Sequence, residues 1–228
     1  MAEIITAFSI PIVNAQLESP DALNTELRNF FLDCEAHGDR YANPDPFTHR
    51  NSALFESQFT LFEWRHPAVG RLREFCLGQL YQAVRELNGY DTATLQRLHI
   101  AHESWFHLTR RGGYFGVHNH PMHSWSGVYC VCQEGDEAHP DSGLLTFISP
   151  YAANTMYTDM ASFKFKPPFQ TGNVPTRLKP GQLVLFPSWL LHEVTPFEPA
   201  GDGLRITVAF NARFRMEGVE RPQRPSGL

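Results

Sequence analysis

No run of apolar residues in the chain approaches the length of a membrane-spanning helix, which needs about 20 residues. Nor is there a block of Lys and Arg, and the net charge is -5. A partner held through phosphate contacts, nucleic acid above all, is therefore disfavoured. The basic residues near the C-terminal end, Arg213, Arg215, Arg221 and Arg224, are interrupted by Glu217 and Glu220 and read as a solvated tail. Cysteine is scarce: Cys34, Cys76, Cys130 and Cys132 make no disulfide framework, which suits a reducing compartment. Cys130 and Cys132 stand two apart on an expected strand, so they should share a face and are poorly placed to bridge each other. Met1 to Leu17 lacks a basic stretch and contains Glu3 and Pro11, so it does not read as a signal peptide. The cytoplasm is the expected location. No feature of the sequence sets an oligomeric state.

What the chain has in quantity is Phe (18), Pro (17) and Gly (16). Aromatics suit pleated, half-buried surfaces, and frequent Pro and Gly mean many turns and few long helices. A length of 228 residues fits one domain. We expect an N-terminal strand and helices over 1–95, a β core over 96–214 and a tail over 215–228. Residues 3–13 read as a strand (Ile4, Ile5, Phe8, Ile10, Ile12), and 20–36 as a helix with Leu23, Leu27, Phe30, Phe31 and Cys34 on one face. After the turn-rich stretch 37–60, a second helix is expected over 67–88, opened by Pro67 and closed by Asn88-Gly89. Beyond residue 95, short runs separated by turn residues predict strands at 97–109, 114–119, 126–133, 143–148, 163–166, 176–178, 182–187, 191–195 and 203–214. Such a series suggests a sandwich or barrel, with the helices leaning on its outside. The segment 150–175, which carries Tyr151, Met156, Tyr157, Met160 and Phe163, reads equally as a lid or as a packed surface excursion.

The chemistry concentrates in two places. His118-Asn119-His120 sets two imidazoles two residues apart, which on a strand places both on one face. Neutral imidazole suits Fe, Zn, Cu and Ni. About seventy residues later, His192 follows an apolar strand (Leu183 to Phe186) and a Pro-containing bend. Arg205 then stands on a strictly alternating strand, sharing a face with Thr207, Ala209 and Asn211. If Leu204, Ile206, Val208 and Phe210 bury against the helices, Arg205 points inward with no carboxylate on its face. A buried guanidinium is costly unless paired, and its planar fork fits a carboxylate. Trp105, Phe115, Trp125 and Trp189 are either core or pocket wall.

The set His-x-His-Pro (His118 to Pro121), Ser-Gly-Val-Tyr (Ser126 to Tyr129), Gly-x-Leu-x-Phe (Gly143 to Phe147), the segment Phe186 to Pro196, and Arg205 to Asn211 resembles a family of bacterial 2-oxoglutarate/Fe(II)-dependent oxygenases. The resemblance covers residues 97–212. It implies a mainly β fold of the α+β type: a double-stranded β-helix, or jelly roll, with the N-terminal helices packed outside. It also implies Fe(II) and 2-oxoglutarate as cofactors, His118 opening the metal motif, His192 as the distal ligand and Arg205 gripping the far carboxylate of 2-oxoglutarate. Tyr129 and Thr207 are its candidate supports. The wider superfamily carries His-x-Asp or His-x-Glu, whereas here the second position is His120. Either His120 is the third ligand, or His123 is, or a position stays open. The implied reaction couples decarboxylation of 2-oxoglutarate to oxidation of a small-molecule or peptide substrate. Two other readings use the same residues: a three-histidine cupin-type metalloenzyme without 2-oxoglutarate, and a jelly-roll ligand-binding module.

Overall fold

In the computed structural model, residues 3–151 and 157–218 are described. Met156, Glu220, Arg221 and Arg224 lie outside the described residues. The elements run β1 (Val13–Gln16), α1 (Asp21–Ala36), β2 (Leu54–Glu56), α2 (Pro67–Asn88), α3 (Thr92–Gln96), β3 (Leu98–Thr109), β4 (Phe115–His118), β5 (Trp125–Gln133), β6 (Leu145–Phe147), β7 (Val174–Thr176), β8 (Gln182–Pro187), β9 (His192–Val194) and β10 (Arg205–Met216). They form a six-stranded sheet, in the order β1-β8-β5-β10-β3-β2, and a four-stranded sheet, in the order β4-β9-β6-β7. All pairings between these strands are antiparallel. Two facing antiparallel sheets of this kind make the jelly roll.

Strand alternation decides which side of the larger sheet each residue serves. Ile206, Val208 and Phe210 of β10 join Phe106 and Leu108 of β3 and Tyr129 of β5 in a core shared with Leu27 and Phe31 of α1 and with Leu72 and Leu80 of α2. The apolar stripes of both helices cover that outer face. The opposite residues of β10, namely Arg205, Thr207, Ala209 and Asn211, line the interior cavity. A second, smaller core between the sheets holds Cys130, Leu145, Phe147, Val184 and Phe186.

Gly127 is required by a close approach on the outer face. A Cβ there would meet the Phe210 ring at 2.4 Å and Leu185 at 2.9 Å. Gly127→Ala should destabilise the fold by about 1–3 kcal/mol, the usual range for overpacking a core. A urea midpoint unchanged from wild type would show that the Phe210 ring has room to move.

Three local expectations change. Only Val13–Gln16 of the N-terminal stretch is a strand, because β1 finds its partner β8 from Val13 onward. Ile4, Ile5 and Phe8 are exposed, and Pro11 has no N–H to give a ladder. Residues 163–166 are a turn followed by irregular backbone, not a strand; among the described residues no neighbouring strand pairs with them. Cys130 and Cys132 do not share a face. A bulge between β5 and β10 pairs Ile206 with Cys132 but Thr207 with Cys130, so one extra residue, Val131, reverses the alternation. Cys130 packs between the sheets, while Cys132 lies 3.8 Å from the Arg28 guanidinium of α1. All four cysteines are free thiols.

Candidate metal and carboxylate site

β4 and β9 pair in a register that sets His118 directly opposite His192, so both side chains leave the same face of the smaller sheet. β4 ends at His118. His120 therefore lies past the strand, and a backbone bond from its N–H to the Ser188 carbonyl (2.8 Å) holds it in place. The Asn119 amide adds a bond to the Trp189 carbonyl at 3.2 Å. The His-x-His segment is thereby stitched to the turn preceding His192. Each of His118, His120 and His192 offers a ring nitrogen within 4.8 Å of the others. Two nitrogens bound to one ion at the usual bond length stand at most about 4.2 Å apart, a spacing comparable to that upper limit.

Two of the imidazoles are oriented. His118 Nδ1 donates to the Gly116 carbonyl at 2.8 Å, and His192 Nδ1 donates to the Leu190 carbonyl at 2.9 Å. A carbonyl only accepts, so the proton is on Nδ1 and the bare Nε2 is left to face the centre. Burial, with neighbouring imidazoles adding to it, depresses His192 to about 3 and His120 to about 2. Burial also lowers His118. All three are neutral at pH 7, the form that binds a metal.

The depressed values carry a stability prediction. Below about pH 6.5 the unfolded chain protonates these histidines while the folded chain does not. Protons then favour the unfolded state, and stability is lost as pH falls. The metal-free protein should lose up to about 1.4 kcal/mol per pH unit for each of His120 and His192 between pH 6.5 and 5. Urea midpoints at pH 7 and pH 5.5 check this; equal midpoints would mean the imidazoles take up protons in place.

Across the same cavity stands Arg205, 2% exposed. Its Nε donates to the Gly143 carbonyl at 3.2 Å and its Nη1 reaches Thr207 Oγ1 at 3.5 Å. Among the described residues no carboxylate pairs with it, and burial lowers its pKa. An unpaired guanidinium opposite three neutral imidazoles is a donor set suited to a metal ion and a dicarboxylate together. The cavity between them, about 40 Å³, is lined by these residues together with Trp105, His107 and Asn211. It adjoins an outer cleft of about 250 Å³ lined by Phe47, Glu56, Phe59, Glu103 and Met122.

The structure thus brings His118, His120, His192, Arg205 and Thr207 to one cavity. It does not bring Tyr129 there. That side chain points to the outer face, where its hydroxyl donates to Asn24 Oδ1 of α1 at 2.8 Å; it helps dock the helix. His123 faces Glu103 at 3.7 Å, apart from the three-histidine group. Trp105 and Phe115 line the cavity, Trp125 packs against the helical core and Trp189 is half exposed. Sequence reading missed His107, which pairs with Thr207 across β3 and β10. Its Nε2 accepts from Trp105 Nε1 at 2.8 Å and lies 3.1 Å from Glu56 Oε2. The i, i+2 spacing of Trp105, His107 and Thr109 was the available signal.

Residues 103–211 match the family model described as "Putative 2OG-Fe(II) oxygenase". That segment belongs to the 2OG-Fe(II) oxygenase family. It contains β10 as far as Asn211, the whole of β4 to β9 and every cavity residue discussed above. The match supports a 2-oxoglutarate-dependent oxygenase with Fe(II) and 2-oxoglutarate as cofactors, and favours it over the cosubstrate-free cupin and the binding module. Solved structures share the fold at low identity. A Pseudomonas putida prolyl-4-hydroxylase is 17% identical with a TM-score of 0.57, over 92% of this chain and 94% of that one. HygX from Streptomyces hygroscopicus, crystallised with nickel and 2-oxoglutarate, is 12% identical with a TM-score of 0.56, over 90% and 83%. A prolyl hydroxylase from Trichoplax adhaerens, in complex with a hypoxia inducible factor peptide fragment, is 14% identical with a TM-score of 0.54, over 90% and 83%. No curated protein matches the sequence. No helix among the described residues is long and apolar enough to cross a membrane.

Proposed function

We propose that His118, His120 and His192 hold Fe(II) through Nε2, and that Arg205, supported by Thr207, binds the distal carboxylate of 2-oxoglutarate. The observation that carries this is the unpaired, fully buried Arg205 facing three neutral imidazoles across one cavity. Bound Fe(II) supplies oxygen activation coupled to the decarboxylation of 2-oxoglutarate to succinate and carbon dioxide. The chain's own residues bind, orient and exclude water. Gly116 and Leu190 fix two of the imidazole rings. Arg205 sets the direction of the dicarboxylate, and the apolar walls Phe115, Leu145, Phe186 and Val194 keep the centre dry.

The substrate, a small molecule or a peptide, enters by the outer cleft beside Phe47, Phe59 and Met122 and is oxidised in a hydroxylase-type reaction. Support comes from the cleft's direct contact with His118 and His120 and from the solved relatives. One of these is bound to a peptide and another, HygX, to hygromycin B. The four free thiols suit a reducing compartment such as the cytoplasm. The test is succinate release in air from 2-oxoglutarate, with Fe(II) added to metal-free protein. Succinate rising in proportion to Fe(II), and faster with an accepted substrate, is expected. Release no greater than the metal-free blank contradicts the reading.

A further inference from the structure

The bulge that separates Cys130 from Cys132 has a second effect. Without it, Gln133 would follow Tyr129 and Val131 outward toward the helices. With it, Gln133 stands directly opposite Arg205 in register and shares the inner face of the sheet with it. The two side chains converge on Gly143, whose missing Cβ would lie 3.1 Å from Arg205 Cδ and 3.2 Å from Gln133 Nε2. Both amide atoms of Gln133, Nε2 and Oε1, are buried without a hydrogen-bond partner among the described residues. On the other flank of Arg205, Thr109 pairs with it in register, and its hydroxyl is likewise buried and unpartnered. Folded proteins pair nearly all such groups, and each one left bare costs about 1–3 kcal/mol. Polar atoms without a protein partner thus flank, on both sides, a guanidinium that has no carboxylate partner among the described residues, an arrangement suited to an anionic ligand.

We infer that Gln133 is a second residue of the carboxylate subsite. Its Nε2–H donates to the distal carboxylate of 2-oxoglutarate, and its Oε1 accepts from the Arg205 guanidinium. An amide is suited to this position because it can donate to an anion and accept from a cation at once. A glutamate would neutralise Arg205 itself, and an apolar residue would serve neither neighbour. The bulge is then a device that re-aims one side chain toward the cosubstrate. This inference rests on the reading of Arg205 given above.

The test measures binding, not turnover. The dissociation constants of Fe(II) alone, and of 2-oxoglutarate in the anaerobic Fe(II) protein, are determined calorimetrically for wild type, Arg205→Ala and Gln133→Met. Gln133→Met keeps the length and removes both hydrogen-bonding atoms. It should weaken 2-oxoglutarate by about ten- to a hundredfold, the loss expected for a hydrogen bond to a charged group, with Fe(II) affinity unchanged. Affinity for 2-oxoglutarate within twofold of wild type, or an equal loss of Fe(II) affinity, overturns the inference. If Gln133→Met does not fold, Gln133→Glu decides. Its carboxylate should pair with Arg205, raise the melting temperature and weaken 2-oxoglutarate by more than about a hundredfold; unchanged affinity again overturns the inference. Retained affinity in Arg205→Ala would instead sink the underlying reading of Arg205, so the two failures are distinguishable.

Discussion

Arg205→Ala should lower the affinity for 2-oxoglutarate by at least about a hundredfold, because removing one partner of a buried charge pair costs about 3–5 kcal/mol. Fe(II) binding should be unaffected, since Arg205 lies across the cavity from the histidines. Arg205→Met adds an effect of opposite sign. The metal-free protein now carries a guanidinium that is 2% exposed and has no carboxylate partner among the described residues. Replacing it with an apolar side chain of similar reach should stabilise that protein by about 1–4 kcal/mol, read as a raised urea midpoint. Cosubstrate binding would be lost at the same time, a trade of function for stability. Lower stability in Arg205→Met would mean that the guanidinium already finds adequate partners in Gly143 and Thr207.

His192→Ala should weaken Fe(II) by more than about a hundredfold, beyond the loss seen when only a supporting partner of a ligand is removed. His192 is the most deeply buried of the three and comes from a different strand than His118. Its removal opens the set on one side. His120→Ala should show a comparable loss, and His123→Ala should show none, because His123 faces Glu103. Metal content after dialysis against a defined free Fe(II) concentration separates the three variants. A fully loaded His192→Ala protein would remove that residue from the set. A fully loaded His120→Ala protein would reduce the site to two imidazoles.

Much of this arrangement was legible in the sequence because strand alternation is a hard geometric constraint. The strict alternation of β10 offered two choices, and the apolar residues Ile206, Val208 and Phe210 needed a cover that only the helices α1 and α2 could give. Arg205 and Thr207 were thereby sent inward. The failures come where alternation is broken or where a partner is missing. Tyr129 sits in the motif Ser-Gly-Val-Tyr, and only pairing with β10 and contact with Asn24 reveal that it serves the helix rather than the cavity. Cys132 and Gln133 follow a bulge, which leaves no mark in the local composition and reverses the facing of every residue after it. His107 and Glu56 meet 51 positions apart in sequence, and no local pattern joins them. The apolar residues near the N-terminus resembled a strand, but a strand needs a neighbour, and β8 offers one only from Val13.

The central claim is that three imidazoles and one buried arginine bind Fe(II) and 2-oxoglutarate in a single cavity. Its most direct test is an anaerobic titration of the Fe(II)-loaded protein with 2-oxoglutarate, followed through the visible charge-transfer absorption of the chelated complex. A band that saturates at one equivalent in wild type and fails to develop at the same concentrations in Arg205→Ala is the expected result. Iron that binds without any band, or a band of equal strength and affinity in Arg205→Ala, would contradict it.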